Sequence, residues 1–272
     1  MISNSIPTAY LAIYSILTLP IIYITFRHGK HGLVGWLYLF AFCTLRIVGG
    51  AMQISANNEG NVDKFATAAL ISNIGLSPLL LATSGILHEV RVYLIPNSDE
   101  KVEWILVLFI HFFVAMGVAL VGVGSSAFKT TTPVKSSDHI LAEIGLIILL
   151  LSWGAISVWA LFTYPARNNL APTTSRNIGT KLLYGLLATL PFTLIRLIYS
   201  IVYVFTRSSK LNPVTGSLGI RVGLSLIPEL LTALIFVFAG LVTTPGRAVK
   251  DVGEHRQHGK DSSGNSQGVE LT

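Results

Sequence analysis

Seven stretches of this chain are apolar for about 20 residues or more, the length a helix needs to cross the hydrocarbon core of a bilayer. They run Pro7–Phe26, Leu33–Ala56, Lys64–Leu87 (with an extension to Ile95 open), Val102–Ser126, Ile140–Tyr164, Ile178–Thr206 and Leu218–Thr244. Polar, Gly- or Pro-containing connections separate them, beginning with RHGKHG and NNEGNVD. Lipid offers no partner to free backbone N–H and C=O groups, so segments of this length must be helical. The ten-residue alternation of a membrane barrel is absent. The expected fold class is therefore all-α: a membrane protein built as a seven-transmembrane-helix bundle. The first segment lacks a basic leader region and a clear cleavage site, so it reads as a retained helix.

Composition agrees. Of the 272 residues, 51% are hydrophobic and only 12% charged, about half the charged share of a soluble domain. Polar surface on that scale cannot cover a water-soluble fold, which excludes soluble enzymes, disordered proteins and nucleic-acid-binding domains. A single cysteine, Cys43, excludes a disulfide framework and any cysteine-based metal site within one chain.

Lys and Arg near the segment ends set orientation. Eleven fall on one side and five on the other, and the N-terminus carries none. The expectation is an N-terminus outside and a cytosolic C-terminus. Residues 1–245 form the transmembrane domain. Residues 246–272 are Gly-, Ser- and charge-rich with no apolar period, and read as a disordered cytosolic tail. The net charge of +6 is then mostly a topology label, with membrane lipid as its natural counter-charge rather than nucleic acid. Placement is integral to the plasma membrane or an endomembrane; oligomeric state is not readable.

Three basic residues remain inside segments: Arg46, Arg196 and Arg221. A charge at membrane depth is costly and usually faces the bundle interior. At about 1.5 Å per residue, Arg46 and Arg196 each lie roughly 15 Å from the outer ends of segments two and six. Glu229 and Asn73 fall near the same level on segments seven and three. Glu229 can pair with one arginine, leaving the other as a donor fork for a carboxylate, phosphate or carbonyl. Tyr199, Tyr203 and Gln53 add polar contacts nearby. Pro191 and Pro228 release backbone groups on segments six and seven. The candidate ligand-binding set is Arg46, Asn73, Arg196, Tyr199 and Glu229. The same residues also suit plain structural links between helices. Glu143 and Arg221 lie nearer the outer surface and read as interfacial snorkelling groups.

His88, Glu89 and His111 make a weaker group toward the cytosolic side, best read as packing or interfacial side chains. Trp36, Trp104 and Tyr164 fit an interfacial aromatic belt, and Trp153 and Trp159 read as lipid-facing or packed. The pairs Gly49/Gly50 and Gly122/Gly124 suit close helix approach. No HExxH, GxSxG, histidine box, Asp-rich motif, P-loop or post-strand GxGxxG is present, and segment seven holds no lysine for a retinal Schiff base. No catalytic residue, metal site or cofactor is expected from the motifs.

The stretches RHGKHGLVGWLYLFAFCTLRIVGG, PFTLIRLIYSIVY and IPELLTALIFVFAGL together resemble a fungal family of seven-helix integral membrane proteins classed as a domain of unknown function. The likeness spans Pro7 to Thr244 and rests on Arg27, His28, Gly29, Trp36, Arg46, Gly49, Arg196, Tyr199, Glu229 and Gly240. It implies a fungal source and a seven-helix fold, and no reaction. The expected function is a sensor or transporter of a small anionic or lipid-like ligand held between helices two, three, six and seven. The alternative is a membrane-embedded enzyme of isoprenoid metabolism, with Glu229 or Glu143 protonating an olefin or epoxide in an apolar cavity. A third reading is a scaffold that only assembles partners.

Overall fold

A computed structural model describes residues 4–60, 67, 71, 74–95, 99–126, 136–165, 173–213 and 216–244. Among them the chain is all-helical, with seven helices, of which six are long and apolar enough to cross a membrane. They are α1 (Ser5–Lys30), α2 (Gly32–Glu59), α3 (Leu76–Leu94), α4 (Glu100–Ser126), α5 (Ser136–Thr163), α6 (Thr173–Thr206) and α7 (Leu218–Val242). The tail expected at residues 246–272 lies outside the described residues, as does most of the first half of the third apolar segment.

The loop expected at RHGKHG is all but absent. α1 and α2 form one helical run, Ser5–Glu59, broken at Gly29 (φ 69°, ψ −161°). That backbone region is open to glycine alone, so one residue reverses the chain. The two helices then return antiparallel. Asn57 Nδ2 donates to Asn4 Oδ1 at 2.5 Å, and Tyr14 meets Phe42 edge-on at 5.4 Å. Gly50 faces the Pro7 carbonyl so closely that a Cβ there would lie 2.9 Å from its oxygen.

α3 is the axis of the bundle. It packs against the α1–α2 hairpin, α4, α5 and α6, and 15 of its 19 residues are buried. This position explains its composition. A helix sheltered from lipid by its neighbours can carry Ser77, Thr83, Ser84, His88, Glu89 and Arg91, and it is the one helix that falls short of the apolarity of a spanning segment. Its backbone touches α2 through glycines: a Cβ on Gly85 would lie 2.5 Å from Gly35 Cα. α4 and α5 meet similarly, at Gly117 and Gly145. Gly122, by contrast, faces open space and makes no such approach.

α7 is irregular where it matters. It begins as Leu218–Arg221, widens into a π turn at Val222–Leu226 and resumes as Ile227–Val242. Pro228 explains the widening, because it brings no N–H to the ladder and its ring crowds the preceding turn.

The outside of the bundle is apolar and the inside is partly polar. Phe26, Phe162 and Phe238 are 77%, 75% and 70% exposed, and Leu19, Leu108, Phe112 and Leu151 are exposed with them. Arg46, Glu89, Arg196 and Glu229 are buried. Water would penalise such a surface; hydrocarbon would not.

Candidate functional site

Three helices bring Arg46, Arg196 and Glu229 together. Arg46 Nη2 from α2 and Arg196 Nε from α6 both bond Glu229 Oε1 on α7, the latter at 2.5 Å. All three side chains are buried. The π turn and Pro228 place Glu229 at the start of the regular part of α7. Arg46 lies between aromatic faces, with its Cζ 5.6 Å from the Tyr10 ring and 5.4 Å from Phe42. Gly75, just before α3, makes room for it: a Cβ there would fall 3.0 Å from Arg46 Cζ. Arg196 Nη1 donates to Ser200 Oγ one turn along α6. Ser225, within the π turn, hydrogen-bonds Tyr10 at 3.3 Å.

The arrangement differs from the expected one in a specific way. One arginine was to pair with Glu229 and the other to stay unneutralised. Instead both bond a single oxygen, and Glu229 Oε2 is buried with no hydrogen-bond partner among the described residues. Two guanidinium groups and one carboxylate sum to a charge of +1. Tyr199 joins through its ring, 5.5 Å from Arg196 Cζ, while its hydroxyl donates to the Leu211 carbonyl at 2.8 Å. Tyr203 accepts from Asn212 Nδ2 at 3.2 Å and is bound into the same α6–α7 connection. Asn73 lies outside the described residues.

A second buried polar cluster was not anticipated. His28 Nδ1 lies 2.6 Å from Glu89 Oε1, His28 Nε2 donates to the Gly240 carbonyl at 2.9 Å, and Trp36 Nε1 donates to Glu89 Oε2 at 2.9 Å. It ties the α1–α2 turn to α3 and to the end of α7. Gly32 permits this, because a Cβ there would meet the Glu89 carboxylate at 2.7–2.8 Å. Trp36 is therefore a fully buried side chain and not part of an interfacial belt, whereas Trp104 and Tyr164 are exposed as a belt requires. Of the group His88, Glu89 and His111, the two histidines are packing side chains, as expected, and Glu89 belongs to this cluster instead. His88 packs on Trp104 and His111 on Tyr38, at 4.8 and 5.2 Å between ring centroids.

One further expectation changes and another is narrowed. Arg221 is buried and donates to the Pro213 carbonyl at 3.0 Å, so it does not snorkel. Trp159 lies under the Arg91 guanidinium at 5.4 Å, and Trp153 donates to Thr193 at 3.1 Å, so both are packed. Glu143 is half-buried, 3.7 Å from the exposed Arg207. Arg91, on α3, grips Glu103 of α4 through both carboxylate oxygens and donates to Thr163 of α5 at 3.0 Å. Among the described residues no group of three or more His, Cys, Asp or Glu is placed to hold a metal ion.

Six helices of spanning length, an apolar exterior and charges gathered inside are the marks of a polytopic helical membrane protein. Within that class, the chain belongs to the family described as Domain of unknown function (DUF7702), whose match covers residues 2–245. No curated protein and no solved structure matches the chain. The residues that carried the family resemblance fall largely in the two buried clusters: Arg46, Arg196, Tyr199 and Glu229 in one, His28, Trp36 and Gly240 in the other.

Proposed function

We propose that this is a seven-span membrane protein, N-terminus outside and C-terminus cytosolic, that binds a small anionic or lipid-like molecule at Arg46, Arg196, Tyr199 and Glu229, as a sensor or transporter. One observation carries the reading. Two guanidinium groups from different helices converge on one carboxylate oxygen in a buried site, so the three side chains keep one positive charge. Two guanidinium donors gathered in a buried site suit an anion, and an anionic head on an apolar body reaches them from within the bilayer. The open Oε2 of Glu229 adds an acceptor for a hydroxyl on the same head.

The acid-catalysis reading has less support. A carboxylate whose oxygen takes two guanidinium donors is arranged as an ion pair, not as an acid about to give up a proton. Glu143, beside an exposed arginine, is not enclosed in an apolar cavity.

Thermal unfolding of the purified full-length protein in detergent tests the proposal. Inorganic phosphate, oleate and lysophosphatidate are titrated against the neutral control monoolein. At a hundredfold excess over its dissociation constant a ligand stabilises by about 2.7 kcal/mol. One of the anions should raise the midpoint of the natural sequence and fail to do so for Arg46→Leu and Arg196→Leu. No shift with any anion, or equal shifts in both variants, overturns it.

A further inference from the structure

The hydrogen-bond geometry around His28 fixes its protons. The Gly240 carbonyl can only accept, so His28 Nε2 carries hydrogen. The Trp36 indole can only donate, so Glu89 Oε2 is committed as an acceptor. The 2.6 Å contact between His28 Nδ1 and Glu89 Oε1 therefore holds a single proton. It sits on the nitrogen, making an ion pair, or on the oxygen, making a neutral pair. The bond survives either placement.

It does not survive removal of that proton. The Nδ1 lone pair would then face a carboxylate at hydrogen-bond distance in a buried site, and the carboxylate has no room to swing away because the Gly32 backbone closes on it. Among the described residues nothing nearby compensates. Glu89 is the charged group facing His28, and on α3 Tyr93 also faces Glu89 from one turn away. α2 offers the Trp36 indole and α7 the Gly240 carbonyl. Arg27 and Lys30 flank His28 along α1. His28 directly precedes Gly29, the hinge of the α1–α2 hairpin. Buried His and Glu side chains in spanning helices are the usual elements of proton-handling sites.

We propose that His28 and Glu89 form a proton-binding site, in which the latched hairpin holds one proton more than the unlatched one, and loss of that proton releases the hairpin tip from α3 and from the end of α7. The site is separate from the Arg46–Arg196–Glu229 cluster, and the proposal stands whether or not that cluster binds an anion.

Hydrogen exchange of the tip, residues 25–37, tests it on the full-length protein in phosphatidylcholine nanodiscs, with rates corrected for intrinsic exchange. In the natural sequence, protection should fall on the order of tenfold per pH unit above the transition, the slope of a one-proton linkage. Glu89→Gln keeps both bonds, since its amide donates to Nδ1 and accepts from Trp36, but has no proton to lose. It should stay protected throughout. In His28→Gln the amide bonds Glu89 whether the carboxyl is ionised or not, so no bond depends on the proton and the profile should be flat at whatever level it folds. Flat protection in the natural sequence overturns the proposal, as does either variant following the natural profile. If Glu89→Gln does not fold, the natural sequence and His28→Gln still decide.

Discussion

Arg196 Nε stands 2.5 Å from Glu229 Oε1, and neither side chain has appreciable exposed surface. Arg46 bonds the same oxygen from the opposite helix. One carboxylate thus joins α2, α6 and α7 in the interior of the bundle. The carboxylate is the keystone, because both arginines meet on its one oxygen.

Unequal costs follow from that asymmetry. Glu229→Ala removes the carboxylate that both buried guanidinium groups bond, a loss of about 3–5 kcal/mol. Arg46→Leu leaves a one-to-one pair between Arg196 and Glu229 and should cost less, about 1–3 kcal/mol. The single cysteine gives a direct readout. Cys43 is buried, so a thiol-reactive dye reports unfolding of the detergent-solubilised protein. A larger loss for Arg46→Leu than for Glu229→Ala would show that the carboxylate is not the keystone.

Contact between α2 and α3 depends on the absence of two side chains. A Cβ on Gly85 would lie 2.5 Å from Gly35 Cα and 2.6 Å from its nitrogen. Gly85→Ala must push the helices apart, at about 1–3 kcal/mol. Gly122→Ala is the matched control, since nothing lies within 4 Å of its Cβ. It should be neutral, or stabilising by about 0.5–1 kcal/mol through helix propensity. Equal effects at the two positions in the Cys43 assay would contradict the packing described for α3.

Arg91 joins three helices with one planar group. Its fork meets both oxygens of Glu103, and Nη1 reaches Thr163. Lysine keeps the charge but loses the fork and the stacking on Trp159. Arg91→Lys should therefore destabilise the protein by about 1–3 kcal/mol, with loss of the midpoint in the same assay. A midpoint matching the natural sequence would mean that charge alone holds α3 to α4 and α5.

Depth along the chain was legible in the sequence, and direction around each helix was not. Counting residues from the segment ends puts Arg46, Arg196 and Glu229 on one level, and the structure joins them. The same count puts Trp36 near a membrane surface, but α2 turns it inward onto Glu89. Nothing in the spacing says so, because the facing of α2 depends on the Gly29 reversal and on the Gly35–Gly85 contact with α3. Glu89 and His28 lie 61 positions apart yet close the same end of the bundle, so the depth count applied to Arg46 would have paired them. The snorkelling assigned to Arg221 failed for a related reason. The connection before α7 folds back to offer the Pro213 carbonyl.

The number of spans turns on α3, the shortest of the seven described helices and the one without a stretch apolar enough to mark a span. Its 19 residues rise about 28 Å, close to the roughly 30 Å of a hydrocarbon core. Its burial on nearly all sides removes the need for an apolar surface. If α3 spans with the other six, the count is odd and the termini lie on opposite sides. Epitope tags at either end of the full-length protein should then differ in intact cells. The N-terminal tag should bind antibody from outside and the C-terminal tag only after permeabilisation, as the surplus of Lys and Arg on the C-terminal side requires. Both tags on one face would reduce the spans to six and make α3 a buried helix that does not cross. Both accessible in the reversed sense would keep seven spans and overturn the charge-based orientation alone.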